Sequence, residues 1–221
     1  NAGAVAAGAN ITLNSALNAD VAGSHTLDLT SGTAGDITVA AIGTTTRVGA
    51  FEVLGAHDVS TQAITVGFIN NTVGGTATYN GALNTNLASG ITLSGAGSHN
   101  VTSGATTTAL GGFLANNTGT LTVGASGLSL DGPFTRDGGV TSLGGNITTT
   151  NDNVTFTDTD DDITVTAPAV ITAGTGTVLF GGSVAMDGNG LAVFADGIDF
   201  TAGNNTVTGS GTAILQLAGG S

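Results

Sequence analysis

A three-residue unit, apolar–polar–apolar and bounded by Gly, Asn or Asp, recurs along this chain. Copies are Ile11-Thr12-Leu13, Leu27-Asp28-Leu29, Ile37-Thr38-Val39, Ile64-Thr65-Val66, Ile91-Thr92-Leu93 and Leu121-Thr122-Val123. Further along come Leu128-Ser129-Leu130, Val154-Thr155-Phe156, Ile163-Thr164-Val165, Leu191-Ala192-Val193 and Ile198-Asp199-Phe200. Alternation with period two places both apolar residues on one face of a strand. Helix is a poor reading, since Gly costs about 1 kcal/mol per helical position relative to Ala, and Thr and Val also lower helix propensity. The pattern predicts many very short strands.

Their spacing predicts the fold. From Ile163 the apolar units begin at 163, 170, 178, 184, 191, 198, 207 and 214, seven intervals with a mean near 7.3. The phenylalanines form a second ruler: Phe113, Phe134, Phe156, Phe180 and Phe200 follow one another at intervals of 21, 22, 24 and 20. Three strand intervals match one phenylalanine interval, as in an all-β, three-faced parallel β-helix (β-solenoid) with three short strands per coil. The length then divides into about ten coils of about 22 residues, a rod about 48 Å long. Before Phe113 the ruler loosens: Leu93, Phe68 and Phe51 lie at successive intervals of 20, 25 and 17. The alternative is an antiparallel β-sandwich, because Asn-Gly and Asp-Gly also make hairpin turns. Sandwich strands usually run to roughly five residues or more, which favours the solenoid.

Composition agrees with corners between short strands. There are 38 Gly, 39 Thr and 18 Asn in 221 residues, evenly spread, so residues 1–221 read as a single solenoid segment of a longer repetitive protein. Gly, Asn and Asp adopt positive φ most cheaply, and Asp131-Gly132, Asp137-Gly138, Asp187-Gly188, Asp196-Gly197, Asn80-Gly81 and Asn189-Gly190 lie between apolar units. Neither Asn1–Asn10 nor Ala213–Ser221 carries a charge or a proline that would cap a stack, which is expected if coils continue beyond them.

Charge narrows the function classes. Fifteen acids face only Arg47 and Arg136, a formal net charge of −13, and Lys, Cys and Trp are absent. A P-loop lacks its lysine, and thiolate chemistry is ruled out. Phosphate repulsion argues against nucleic acid, and the same sign argues against anionic membrane surfaces. No apolar run approaches the ~18 residues of a spanning helix, so membrane insertion is not expected.

Two runs resemble repeats of giant bacterial exoproteins: Gly144-Gly145-Asn146-Ile147-Thr148-Thr149-Thr150-Asn151-Asp152-Asn153-Val154-Thr155-Phe156 and Asn84-Thr85-Asn86-Leu87-Ala88-Ser89-Gly90-Ile91-Thr92-Leu93. Leu128-Ser129-Leu130-Asp131-Gly132-Pro133-Phe134 is similar. These repeats are filamentous-haemagglutinin-like, from two-partner-secretion or autotransporter-type adhesins. The resemblance covers most of the chain from about residue 80 onward. It implies a right-handed parallel β-helix, secretion, cell-surface or extracellular location, and roles in adhesion, fibres or matrix.

Candidate chemistry is sparse. Asp158, Asp160, Asp161 and Asp162 form the densest acidic run, and alternating oxygen donors in a tight loop suit calcium, the one cofactor candidate. The run lacks the Gly and Glu of an EF-hand, and a solvated corner loop is the plainer reading. Arg136 beside Asp131 and Asp137 is the one place where lyase ingredients coincide, but a surface corner residue paired with an aspartate is expected there, and no enzyme. His25, His57 and His99 fall at intervals of 32 and 42, do not fit one column, and read as surface histidines. Thr-x-Thr pairs at 76/78, 118/120, 155/157, 164/166, 175/177 and 206/208 do not hold one column either, which disfavours an ice-binding lattice. Gly-x-Ser-x-Gly is absent, and Asn-x-Thr occurs at several places, among them Asn10, Asn70, Asn116, Asn146, Asn153 and Asn204.

The function expected from all this is a structural subunit or segment of an extracellular bacterial fibre or surface stalk, partnered end to end with itself. The alternative is an adhesin module binding a host or matrix polysaccharide, for which Tyr79 and any surface phenylalanine would be the stacking platforms.

Overall fold

The computed structural model describes residues 8–201 and 207–219. Among them there is no helix, and hence none long and apolar enough to cross a membrane. Every strand pairing is parallel. Hairpins would have paired sequence neighbours antiparallel, so the sandwich is excluded. The protein is a parallel β-solenoid with three strands per turn and about nine stacked turns, close to the expected ten.

A ten-stranded sheet takes one strand from each coil. One inward column on it runs Ile11, Ile37, Val59, Ala77, His99, Leu121, Thr141, Ile163, Val184 and Val207. Its nine steps from position 11 to position 207 have a mean near 21.8, but single steps range from 18 to 26. A larger sheet covers the other two faces. Long strands such as Ile64–Val73 and Ala169–Phe180 bend through the corner between those faces: Ile64–Val73 pairs with Leu83–Thr85 through its first half and with Ile91–Ser94 through its second. The step from Val59 to Ala77, which contains that strand, is the shortest in the column. Phe68 precedes the inward Ile69, points outward and is half-buried, so it was never part of the ladder.

The phenylalanine ladder is present. Ring centroids lie 5.8, 5.4, 5.8 and 4.9 Å apart from Phe113 through Phe134, Phe156 and Phe180 to Phe200. It occupies two neighbouring columns rather than one. Phe113 and Phe134 stack in the column that continues to Val154, whereas Phe156, Phe180 and Phe200 stack in the column above Arg136. The rings change column between Phe134 and Phe156, where the tilt opens to 51°.

Corners use Asn and Asp differently from expectation. Only Ala109, Leu110, Asn151 and Asp187 have positive φ among the described non-glycine residues. Several corner amides and carboxylates instead accept the backbone N–H of a neighbouring coil. Asn10 accepts from Asp36, Asn146 from Val170, Asn153 from Thr177 and Asp162 from Ser183, at 2.8–2.9 Å. Each such bond satisfies a donor that the strand ladder leaves over at the corner. Three acceptor asparagines, Asn10, Asn146 and Asn153, are thereby engaged, while Asn204 lies outside the described residues.

Candidate functional site

The acidic run lies over the corner that follows Val154–Phe156. Asp158 and Asp160 are exposed, but Asp161 is fully buried. One Asp161 oxygen accepts the Gly138 N–H at 2.7 Å on the neighbouring coil; the other accepts the Asp158 N–H at 2.8 Å and the Thr157 hydroxyl at 3.3 Å. Asp162 Oδ1 accepts both the N–H and the hydroxyl of Ser183. Two of the four calcium candidates therefore already clasp neighbouring coils. Burial pushes the Asp161 carboxyl above the usual range, opposed by those N–H donors and by the positive charge of Arg136.

Arg136 corrects an expectation outright. It is not a surface corner residue: the side chain is fully buried, in the inward column between Ala115 and Phe156. Position 136 keeps the inward parity of the unit Phe134-Thr135-Arg136, and alanine one coil below leaves room for a long side chain. The guanidinium donates to the carbonyls of Ala115, Asn117 and Gly119 at 3.0, 2.8 and 2.7 Å and to Asn117 Oδ1 at 3.0 Å, with Nε unpartnered. Gly139 has φ +74°, and a Cβ there would stand 2.7 Å from Nη2, so the guanidinium packs where only glycine leaves space. Burial lowers the Arg136 pKa, resisted by Asp161, Asp137 and Asp160. The acidic run thus has a counter-charge inside the protein.

The histidines part ways. His25 is exposed and meets Asp20 at 2.6 Å, a hydrogen bond that lowers the Asp20 pKa. His99 is not on the surface; it is fully buried in the inward column. Tyr79, expected as an exposed platform, is fully buried beside it, with rings 9° from parallel and centroids 6.2 Å apart.

Their hydrogen bonds form one consistent chain. His99 Nε2 lies 3.1 Å from the Ser94 carbonyl, which only accepts, so Nε2 carries the proton. Nδ1 then accepts from the Tyr79 hydroxyl at 3.2 Å, which in turn accepts from Asn71 Nδ2 at 3.1 Å. Asn71 Oδ1 closes the chain on the Val53 N–H at 3.0 Å. Desolvation lowers the His99 pKa to about 4 and raises that of Tyr79, so both are neutral at pH 7.

One grouping escaped the sequence reading. Asp36, His57 and Asp58 bring three donor atoms within 4.8 Å of one another, a set with metal-ligand chemistry. The signal was available, since positions 36 and 58 differ by one coil length.

The outward side of the ten-stranded sheet holds a column that interval counting missed. Thr12, Thr38, Ser60, Thr78, Asn100, Thr122, Ser142 and Thr164 follow one another, with Ala185 and Thr208 after them. Coils of unequal length blur this alignment in sequence. The flanking outward positions include Asp36, Asp58, Val140 and Asp162, so the polar pattern is not a uniform threonine lattice.

No family model, curated protein or solved structure matches the chain. The resemblance to haemagglutinin-like repeats is compatible with the solenoid architecture, and the quoted runs occupy equivalent places. Residues 84–93, 128–134 and 144–156 each pass between the same two faces of different coils, as the columns Leu83–Ala105–Leu128–Ile147 and Ile91–Phe113–Phe134–Val154 show.

Proposed function

We propose that the chain is a structural segment of an extracellular bacterial fibre or surface stalk, built by stacking further coils on open solenoid ends. One observation carries this reading. The column Leu17–Ile42–Ile64–Leu83–Ala105–Leu128–Ile147–Ile171–Val193 is apolar throughout and ends at Leu215. Leu215 and Leu217 occupy inward positions yet are 51% and 53% exposed, whereas Val193 and Ala195, one coil below, are 0% exposed.

A further coil would cover them, contributed by a longer polypeptide or by a second copy. Leu17 at the opposite end starts the same column, so head-to-tail contact continues it. Such contact joins two different surfaces, does not close, and yields a rod. No catalytic step belongs to this reading, because the Arg136 guanidinium donates inward to carbonyls.

The test is negative-stain microscopy of the concentrated chain beside Leu215→Asp/Leu217→Asp. Rods that the double variant loses support stacking, and compact monomers from the unaltered chain sink stacking between copies. Surface labelling of producing cells tests the extracellular location.

A further inference from the structure

We propose that Asp36, His57 and Asp58 form a binding site for a divalent transition metal of the zinc type, at the edge of the ten-stranded sheet. Stacking creates the site. Ile37 pairs with Val59 in parallel, so the residue before each, Asp36 and Asp58, lies one coil from the other, about 4.8 Å along the stack. Both carboxylates are positioned by backbone donors. Asp36 Oδ1 accepts the Asp58 N–H at 3.3 Å, and Asp58 Oδ1 accepts the Thr76 N–H at 2.6 Å. The His57 backbone is tied on both sides, donating to the Gly35 carbonyl at 2.8 Å and accepting from the Gly75 N–H at 2.7 Å.

Two of the three donor separations match a metal's coordination edge, and the third lies within 4.8 Å. His57 Nδ1 lies 3.4 Å from Asp36 Oδ1 and 3.4 Å from Asp58 Oδ1. A tetrahedral ion with bonds of about 2.1 Å has edges of about 3.4 Å between its ligand atoms. One imidazole and two carboxylates make a mixed nitrogen and oxygen set, suited to zinc and not to an all-oxygen calcium cage. All three side chains are about half exposed, leaving water a fourth position.

Electrostatics and space agree. Like charges stacked directly across neighbouring strands repel, and a cation between the two carboxylates converts that repulsion into attraction. On the next coil, Gly75 leaves the site open: a Cβ there would stand 2.3 Å from Asp58 Oδ1 and 3.2 Å from His57 Cε1.

The experiment is titration of the untagged, chelator-treated chain with zinc by calorimetry, with cobalt as a spectroscopic substitute. One zinc per chain is expected, with affinity falling at least about tenfold in His57→Ala and in Asp36→Asn. Asp158→Asn/Asp160→Asn should bind zinc like the unaltered chain, and circular dichroism should show all variants folded. A four-coordinate cobalt band that His57→Ala loses would support the site. Absence of binding up to about 1 mM zinc, or unchanged affinity in His57→Ala, would overturn it.

Discussion

Position 99 puts a titratable ring where the same column elsewhere carries mostly aliphatic residues, and stability inherits a pH dependence from it. An unfolded His99 takes up a proton as pH falls below its ordinary 6.5, whereas the folded ring resists until about 4. The contribution is therefore complete above pH 6.5 and is lost as pH falls from 6.5 to 4, about 3 kcal/mol in all. His99→Gln keeps one acceptor and one donor but does not titrate, so in urea melts its pH profile should be flatter than the unaltered chain's. Parallel profiles would refute the assignment. Arg136→Met should be harsher, about 3–5 kcal/mol by chemical denaturation, because the buried Asn117 carbonyl loses its donor, the Ala115 and Gly119 carbonyls are left with one each, and buried Asp161 loses its counter-charge. Both residues are expected on the surface, His99 from its spacing to the other histidines and Arg136 from its neighbouring aspartates, and both are buried. Strand parity held the correct signal, since His99-Asn100-Val101 and Phe134-Thr135-Arg136 alternate just as the apolar units do.

Among elements, the stacked triplet is the repeating unit, and its inner residues share their contacts with the coils on either side. Phe156 has an aromatic neighbour both ways, Phe134 and Phe180, whereas Phe200 follows Phe180 and is only partly buried. Phe156→Ala should therefore destabilise by about 3–5 kcal/mol in equilibrium unfolding, and Phe200→Ala by clearly less. Equal losses would mean that the rings do not act as a stack. Corners follow a second logic. Asp161 sits in an acidic stretch that reads as solvated, yet it clasps Gly138 one coil away and lies within the influence of Arg136. Nothing local in Asp158-Thr159-Asp160-Asp161-Asp162 marks the third aspartate as the inward one.

For the molecule as a whole, about nine turns at about 4.8 Å give a rod about 43 Å long. If coils stack between copies, particle lengths should cluster at multiples of that value, and Leu215→Asp/Leu217→Asp should leave only the shortest class. A continuous spread of lengths, or none beyond the first, would contradict head-to-tail registration. The net charge of −13 works with this geometry, since like-charged sides repel one another while the strand Ala213–Leu217 at the open end carries no charge.

Winding, coil length and the phenylalanine stack were legible in the order of residues, because a period-two alternation that returns once per coil leaves a parallel stack few other ways to bury its apolar side. Which residues meet across coils was not legible. Coils of unequal length shift every later neighbour. Only the folded stack therefore brought Asp36 to Asp58, turned Arg136 and His99 inward, and left Leu215 uncovered.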